Sequence, residues 1–175
     1  MKTLFAFMAL AAGAAQAHVT LEVPQVAAGS SYKAVLRVGH GCEGSATHTL
    51  TVRLPPGFRG AKPMPKAGWQ ISIQRAALAE PTQSHGKTNA DEVVEITWKA
   101  SSREAWLPDA QYDEFILHGQ APQTPGPAWF KVLQQCEKGQ LDWAELPVSG
   151  ASTQGLKSPA VLLDVLPAHP VAHQH

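Results

Sequence analysis

Apolar residues recur at every second position in many short segments of this 175-residue chain. In the stretch YKAVLRV, for example, Ala34, Leu36 and Val38 occupy alternate positions. Successive side chains of a β-strand point to opposite faces, so this period of two predicts strands that are buried on one face. The residues that fill these segments are mainly Val, Ile, Thr and aromatic residues, which favour strands.

Nine segments have this character, and Pro- and Gly-rich connectors separate them. EKGQ at 137–140 is typical of a tight hairpin turn with Gly139 at positive φ, and SSREAWLPDAQ has room for one helical turn. No long helical periodicity is present, so the pattern predicts one all-β domain, an antiparallel β-sandwich. The segments are HVTLEV, YKAVLRV, THTLTVRL, WQISIQ, EVVEITW, DEFILHG, AWFKVLQQC, QLDWAEL and AVLLDVL. Inward positions in them include Val19, Leu21, Val23, Leu50, Val52, Leu54, Trp69, Ile71, Ile73, Val94, Ile96, Trp98, Phe115 and Leu117.

The first 17 residues have the three parts of a secretory signal peptide. Lys2 precedes an apolar run from Leu4 to Ala15, and Ala15 and Ala17 supply the small residues at a cleavage site. The apolar run is shorter than the roughly 20 residues that cross a bilayer. We therefore expect cleavage after Ala17 and a periplasmic or secreted protein.

Removal of residues 1–17 from the 175 leaves 158, enough for one domain with a substantial core. Acidic and basic residues are balanced at 14 each in the full chain, and no basic stripe indicates nucleic acid. In an oxidising compartment the isolated cysteines, Cys42 and Cys136, are expected to form a disulfide. The alternative is a pair of thiolate ligands for a soft metal, but no CxxC spacing supports it.

Cleavage after Ala17 would make His18 the first residue of the mature protein. Its α-amine and imidazole Nδ1 could then bind one metal ion together and close a six-membered chelate ring. Two neutral nitrogen donors favour tetragonal Cu(II), and copper heads the affinity order of divalent metals at nitrogen sites. The alternative is that His18 follows the cleavage site by chance, because signal peptidase tolerates many residues there.

Several stretches, taken together in their order and spacing, resemble the YcnI-like family of secreted bacterial domains. They are AHVTLEVPQVAAGS, GW at 68–69, PDAQYDEFILHG, CEKGQLDW and LKSPAVLL, and they cover about residues 18–166. The resemblance implies an immunoglobulin-like β-sandwich. It also implies one Cu(II) per chain, held by the amine and imidazole of an N-terminal histidine together with a glutamate, with a tryptophan near the metal.

Residue by residue, the resemblance assigns the histidine to His18 and the tryptophan to Trp143. Family members often have RVPxE after the second strand, and the matching stretch here is RVGHGCEGS, which indicates Glu43 as the glutamate. His40 and Cys42 depart from the family pattern just before it, so Glu22 is the alternative carboxylate. Alternation places Glu22 on the same strand face as His18.

Other histidines offer further nitrogen donors. His40 or His48 could convert the site to a two-histidine brace, although a surface histidine is the commoner role for each. Residues 167–175 are expected to be a flexible tail. Its three histidines could capture a metal loosely: His169, His173 and His175.

These features together predict an extracytoplasmic Cu(II)-binding protein that acts in copper delivery, buffering or resistance. A copper chaperone or a copper-transport membrane protein is the partner that such a role implies. The chain has no GxSxG, HExxH or cysteine–histidine arrangement, so we do not expect an enzyme. Two alternatives stay open: a copper-dependent oxidoreductase with a brace site, and a metal-free interaction module.

Overall fold

A computed structural model describes residues 18–84 and 87–168 of the chain. The expected signal peptide, residues 1–17, and the three tail histidines lie outside the described residues. Eleven strands run through the described part of the chain: β1 (Thr20–Leu21), β2 (Gln25–Ala27), β3 (Ser31–Val38), β4 (Thr47–Arg53), β5 (Arg59–Pro63), β6 (Trp69–Ser84), β7 (Lys87–Ala100), β8 (Asp113–Gln120), β9 (Gly126–Cys136), β10 (Gln140–Trp143) and β11 (Val161–Leu166).

The strands form two sheets. One sheet has four strands in the order β1-β3-β8-β5, and the other has the order β2-β11-β9-β4-β7-β6, with β10 paired to β9 as well. Neighbouring strands are antiparallel except β2 and β11, which pair in parallel. The prediction of a single all-β sandwich is confirmed, with this one parallel pair as a departure from it.

Alternating apolar side chains from both sheets form one core, as the period of two predicts. In β3 the predicted inward residues Ala34, Leu36 and Val38 are all buried. Full burial of one large apolar side chain contributes roughly 1.5–3 kcal/mol relative to exposure, so these alternate positions dominate the stability of the sandwich. The largest fully buried apolar side chains include Trp98, Phe115, Phe130, Leu50, Ile96 and Leu117.

The predicted inward face of β7 changes in the middle of the strand. Gln74 of β6 pairs with Glu95, but Arg75 pairs with Val93, so a β-bulge skips one residue. As a result Val93 is buried and Val94, which the alternation placed inside, is exposed. A bulge reverses the faces of the strand beyond it, which a strict period of two cannot predict.

Beyond this bulge β6 and β7 continue as a long two-stranded arm that leaves the core. Ile73, also predicted to point inward, is 45% exposed near the base of this arm. The predicted segments WQISIQ and EVVEITW cover only the first part of the hairpin. The arm contributes little to the core and instead forms one wall of a surface groove.

Two predicted connectors contain strands. PQVAAGSS includes β2, and PPGFRGAKPMPKAG includes β5, while the first segment shortens to β1. The short helical turn predicted in SSREAWLPDAQ is confirmed as a 3-10 turn at Arg103–Ala105. Gly139 has a φ of 76°, as the EKGQ turn requires.

Candidate metal centre

The loop after β3 is attached to the end of β9 by the disulfide between Cys42 and Cys136. Their Cα atoms lie 5.8 Å apart, and both side chains are buried. The predicted disulfide is confirmed, and the thiolate-pair alternative is wrong for this oxidised form. The bond places residues 40–45 beside the strand that leads, through a tight turn, to β10 and Trp143.

Strand register brings His18 to the same loop. Thr20 pairs with Arg37 and Leu21 with Leu36, and continuing this antiparallel register puts His18 opposite Gly39. Val19 and Leu21 are buried while His18 is only half-buried. The N-terminal segment is therefore anchored by its apolar residues, and His18 stands at the rim of the sandwich.

The hydroxyl of Tyr32 holds the chain immediately after β1. It donates a hydrogen bond to the carbonyl oxygen of Val23. Burial, together with the negative charge of Glu22, raises the pKa of Tyr32 to about 12. The hydroxyl thus keeps its proton and its hydrogen bond throughout the physiological range, which fixes the segment that carries His18.

Two histidine rings contact the indole of Trp143. The ring centroids of His18 and Trp143 are 5.3 Å apart, and the rings are nearly perpendicular at 86°. The ring of His40 lies 6.4 Å from the same indole at 79°. Trp143 is 4% exposed, so its indole is a rigid wall shared by both imidazoles. The resemblance implied an indole beside His18; that it shields a bound metal stays a prediction.

The tautomer of His40 follows from its hydrogen bond. Its Nδ1 lies within hydrogen-bond distance of the carbonyl oxygen of Gly41, which can only accept. Nδ1 must therefore carry the proton, and in the neutral ring the lone pair is on Nε2. A metal-binding histidine commonly has this arrangement, with one ring N–H given to a carbonyl and the other nitrogen facing the metal.

Gln134 joins these groups from the interior. Its side chain is 1% exposed, and its amide donates to the carbonyl oxygen of His40 (2.7 Å) and to Oγ1 of Thr47 (2.8 Å). Its Oε1 accepts from Nε1 of Trp143 at 3.2 Å. One buried amide therefore sets the positions of both the loop that carries His40 and the indole. Nothing in the sequence pattern singled out this residue.

Replacing Gln134 by Leu should destabilise the fold by about 2–3 kcal/mol, because three polar partners, two of them buried, lose their hydrogen bonds together. Chemical denaturation followed by circular dichroism measures this. Gln135→Leu, at the neighbouring half-buried position of β9, is the matched control and should cost less than about 1 kcal/mol. Equal losses in the two variants would contradict a bridging role for Gln134.

Glycine at position 41 is required by the tightness of the loop. A Cβ atom there would lie 1.8 Å from the carbonyl oxygen of Ser45. The amide of Gly41 donates to Oδ1 of Asp109 at 2.9 Å, which holds the residue after His40 from the other side. Sequence reasoning missed Asp109, although it lies in the stretch PDAQYDEFILHG that carries part of the family resemblance.

The two predicted carboxylates stand in different environments. Glu43 is exposed at the tip of a two-residue turn in which Cys42 and Ser45 exchange both backbone hydrogen bonds. Glu22 instead forms an ion pair with Arg37 at 3.1 Å. Among the described residues, no three His, Cys, Asp or Glu side chains are grouped closely enough to hold a metal ion. The assignment of a carboxylate ligand therefore stays a prediction.

Replacing Glu43 by Asn tests that assignment without loss of the turn. Glu43 has a φ of 49° and Gly44 a φ of 82°, the signs of a type I′ turn, for which Asn-Gly is favoured. Glu43→Asn should therefore raise the free energy of unfolding by up to about 1 kcal/mol. We expect Cu(II) affinity to be unchanged, as measured by competition with a chelator of known affinity. A marked loss of affinity would restore Glu43 as a ligand.

His48 lies elsewhere. Its ring packs on Trp106 at a centroid distance of 5.3 Å, and its Nδ1 contacts Oγ1 of Thr49 at 2.8 Å. The guanidinium of Arg103 lies 4.9 Å from the centre of the same indole. The ring contacts of the described residues place one imidazole on Trp106 and two on Trp143, so this second histidine–tryptophan pair is a poorer metal site than the first.

Comparison with known proteins gives a family and a fold. A family model described as a domain of unknown function (DUF1775) matches residues 18–165. No curated protein sequence matches the chain. Within the described residues, no helix is long and apolar enough to cross a membrane.

An uncharacterised protein from Nocardia farcinica, whose crystal structure has an immunoglobulin-like fold, matches at a TM-score of 0.65 and 24% identity. The match covers 87% of this chain and 99% of that one. It shows that the present sandwich is immunoglobulin-like, as the resemblance implied. A type I cohesin from Pseudobacteroides cellulosolvens covers 90% of this chain and 97% of its own at 7% identity. Its TM-score of 0.40 is too low to indicate a relationship.

Proposed function

The chain belongs to the DUF1775 family, and from that premise we propose that it is an extracytoplasmic Cu(II)-binding protein of the YcnI-like kind. In this proposal the mature chain begins at His18 and takes up one Cu(II). The ion is cargo that the protein delivers, buffers or sequesters.

One observation carries the proposal: the ring of His18 lies edge-on against the buried indole of Trp143, and the ring of His40 lies on the same indole. His18 is also the residue that cleavage after Ala17 would leave first. Its amine and Nδ1 would then supply two nitrogen donors from one residue. Convergence of a second imidazole on the same wall supports a site built from nitrogen ligands, which suits Cu(II).

We propose His40 as the further ligand in preference to Glu43. The hydrogen bond from Nδ1 to Gly41 directs the lone pair of the neutral ring to Nε2. Gln134 and Asp109 hold the backbone on either side of His40. A ligand whose orientation is fixed by such contacts loses little entropy on binding, whereas Glu43 sits on an exposed turn tip.

The deciding experiment compares two forms of the purified protein. One form begins at His18, as verified by mass spectrometry, and the other carries one extra glycine before it. Each is titrated with Cu(II) while tryptophan fluorescence is recorded. We expect one equivalent to quench the first form at low concentration and the extended form to bind far more weakly, because its amine no longer closes the six-membered ring.

Equal binding by the two forms would assign copper to other histidines and overturn the proposal.

A Trp143→Phe variant of the mature form shows whether the copper binds beside Trp143. It should still bind one Cu(II) but lose most of the quenching, since its indole is the one in contact with His18. Unchanged thermal stability on addition of Cu(II) would instead favour a metal-free module, because a ligand that prefers the folded state raises it.

A further inference from the structure

The outer face of the four-stranded sheet carries a lateral row of basic side chains. His118 of β8 pairs with Lys33 of β3 on one side and with Lys62 of β5 on the other. All three residues are exposed. In the adjacent row Arg59 pairs with Gln120. Three neighbouring strands thus present Lys, His and Lys directly beside one another.

The lysines of this row and the neighbouring arginine have no ion-pair partner in the part of the chain that the structure describes. Among the described residues, no ion pair involves Lys33, Lys62 or Arg59. Of the two acidic side chains that line the groove beside the row, Asp91 pairs with Arg75, and Glu92 accepts a hydrogen bond from the amide of Gly60 but keeps its negative charge. Within the described residues, three unpaired cations thus face one unpaired carboxylate. The row therefore has excess positive charge that an anionic ligand could offset.

Two members of the row, His118 and Lys62, form the floor of a groove of about 1150 Å³, whose far wall is the arm of β6 and β7. Lys33, the neighbour of His118, lies beside the groove. Arg59 also lines it, and Ile73 adds exposed apolar surface at the base of the arm. Oγ of Ser31 and Nε2 of His118 lie 2.7 Å apart on the floor. Both sheets end here, because β5 and β6 are the edge strands of their sheets. The groove thus combines charge, apolar contact and two strand edges.

We propose that the basic row and the groove beside it bind an extended acidic peptide segment of a partner protein. Strands in a sheet are spaced by about 4.8 Å, so Lys33 and Lys62, two strands apart, are separated by roughly 10 Å. An extended chain advances about 3.3 Å per residue and alternates its side chains, so acidic side chains two and four residues apart share one face at about 7 and 13 Å, which brackets the separation of the two lysines. The groove is larger than a small anion needs, and its concave shape does not suit a flat membrane surface.

The test uses the chain beginning at His18 and a fluorescein-labelled peptide, Glu-Thr-Glu-Val-Glu-Thr-Glu, whose acidic side chains share one face of an extended chain, followed by fluorescence anisotropy. A peptide with Lys in place of each Glu controls for composition. We expect saturable binding of the acidic peptide that weakens as salt rises. Lys33→Glu with Lys62→Glu should weaken it by about tenfold or more, whereas Lys138→Glu with Lys157→Glu, in exposed loops outside the groove, should change it less than about twofold.

Circular dichroism establishes that each variant is folded, and Lys33→Gln with Lys62→Gln serves if the charge reversal disrupts the sheet. Equal losses in the groove and control variants would overturn the proposal by assigning the binding to net charge. Inorganic phosphate that displaces the peptide at micromolar concentration, or tighter binding to vesicles of anionic lipid, would also overturn it. Copper binding should be the same in all these variants, so this proposal can fail without the copper proposal failing.

Discussion

Replacing His18 by Ala should lower the affinity of the mature protein for Cu(II) by about 10²–10⁴-fold. The reason is the chelate: His18 would supply two donors on one residue, and linking two binding groups raises affinity by that order without new contacts. Alanine keeps the amine but removes the imidazole, so one nitrogen donor is lost and the chelate ring cannot form. Competition with a chelator of known affinity, followed by tryptophan fluorescence, measures the change.

Two further histidine variants make this result specific to the site. His48→Ala removes an imidazole that packs on Trp106 rather than Trp143, and it should leave affinity unchanged. His40→Ala removes the imidazole on Trp143 and should give a loss between those of the other two variants. If His18→Ala and His48→Ala behave alike, the ring contact of His18 with Trp143 is structural, and the N-terminal chelate is wrong.

Removing the disulfide with Cys42→Ala and Cys136→Ala should lower the free energy of unfolding by roughly 4–5 kcal/mol. The two cysteines are separated by 94 residues, and opening a loop of that length gives the unfolded chain this much conformational freedom in the loop-entropy estimate. Urea denaturation of the oxidised wild type, the reduced wild type and the double variant measures it. The last two should agree, and a loss below about 1 kcal/mol would show that loop closure matters little here.

The same double variant should weaken copper binding more than its stability loss explains. Cys42 lies two residues after His40, and Cys136 lies two residues after Gln134, whose amide holds the His40 carbonyl. Without the bond the loop at 40–45 can move away from Trp143. Affinity should therefore fall even where the variant remains fully folded, which circular dichroism establishes. Unchanged Cu(II) affinity in the folded variant would show that the disulfide does not position the copper-binding residues.

Local pattern sufficed for the parts of the fold that are buried on one face. Ala34, Leu36 and Val38 are buried as their alternation predicts, although Val35, on the other face of β3, is buried as well. Val93 is buried in place of Val94 because of the bulge opposite Arg75, and a bulge cannot be recognised from the sequence of one strand. The strands β2 and β5 were hidden because Pro and Gly, which indicate turns, also occur in edge strands.

The candidate site was predictable only in part, for a different reason. His18 stood out through its place after Ala17, and Trp143 through family resemblance. Gln134, Asp109 and the orientation of His40 depend on contacts between segments that are distant in sequence. An alternating pattern shows which face of a strand a residue occupies, but it does not show which residue that side chain contacts across the sandwich. Motif spacing favoured Glu43 over His40 as a metal ligand. Spacing alone does not show that Glu43 lies at the exposed tip of a turn.

The parallel pairing of β2 with β11 has a consequence for the order of folding. Gln25 and Asp164, which the pairing joins, are separated by 139 residues. At ribosomal rates of about 5–20 residues per second, β2 waits roughly 7–28 s for its partner strand to emerge. Such non-local pairing gives a high contact order and slow folding. The sandwich can close only after nearly the whole domain has been made, so chains interrupted before β11 expose an unpaired edge and should aggregate or be degraded.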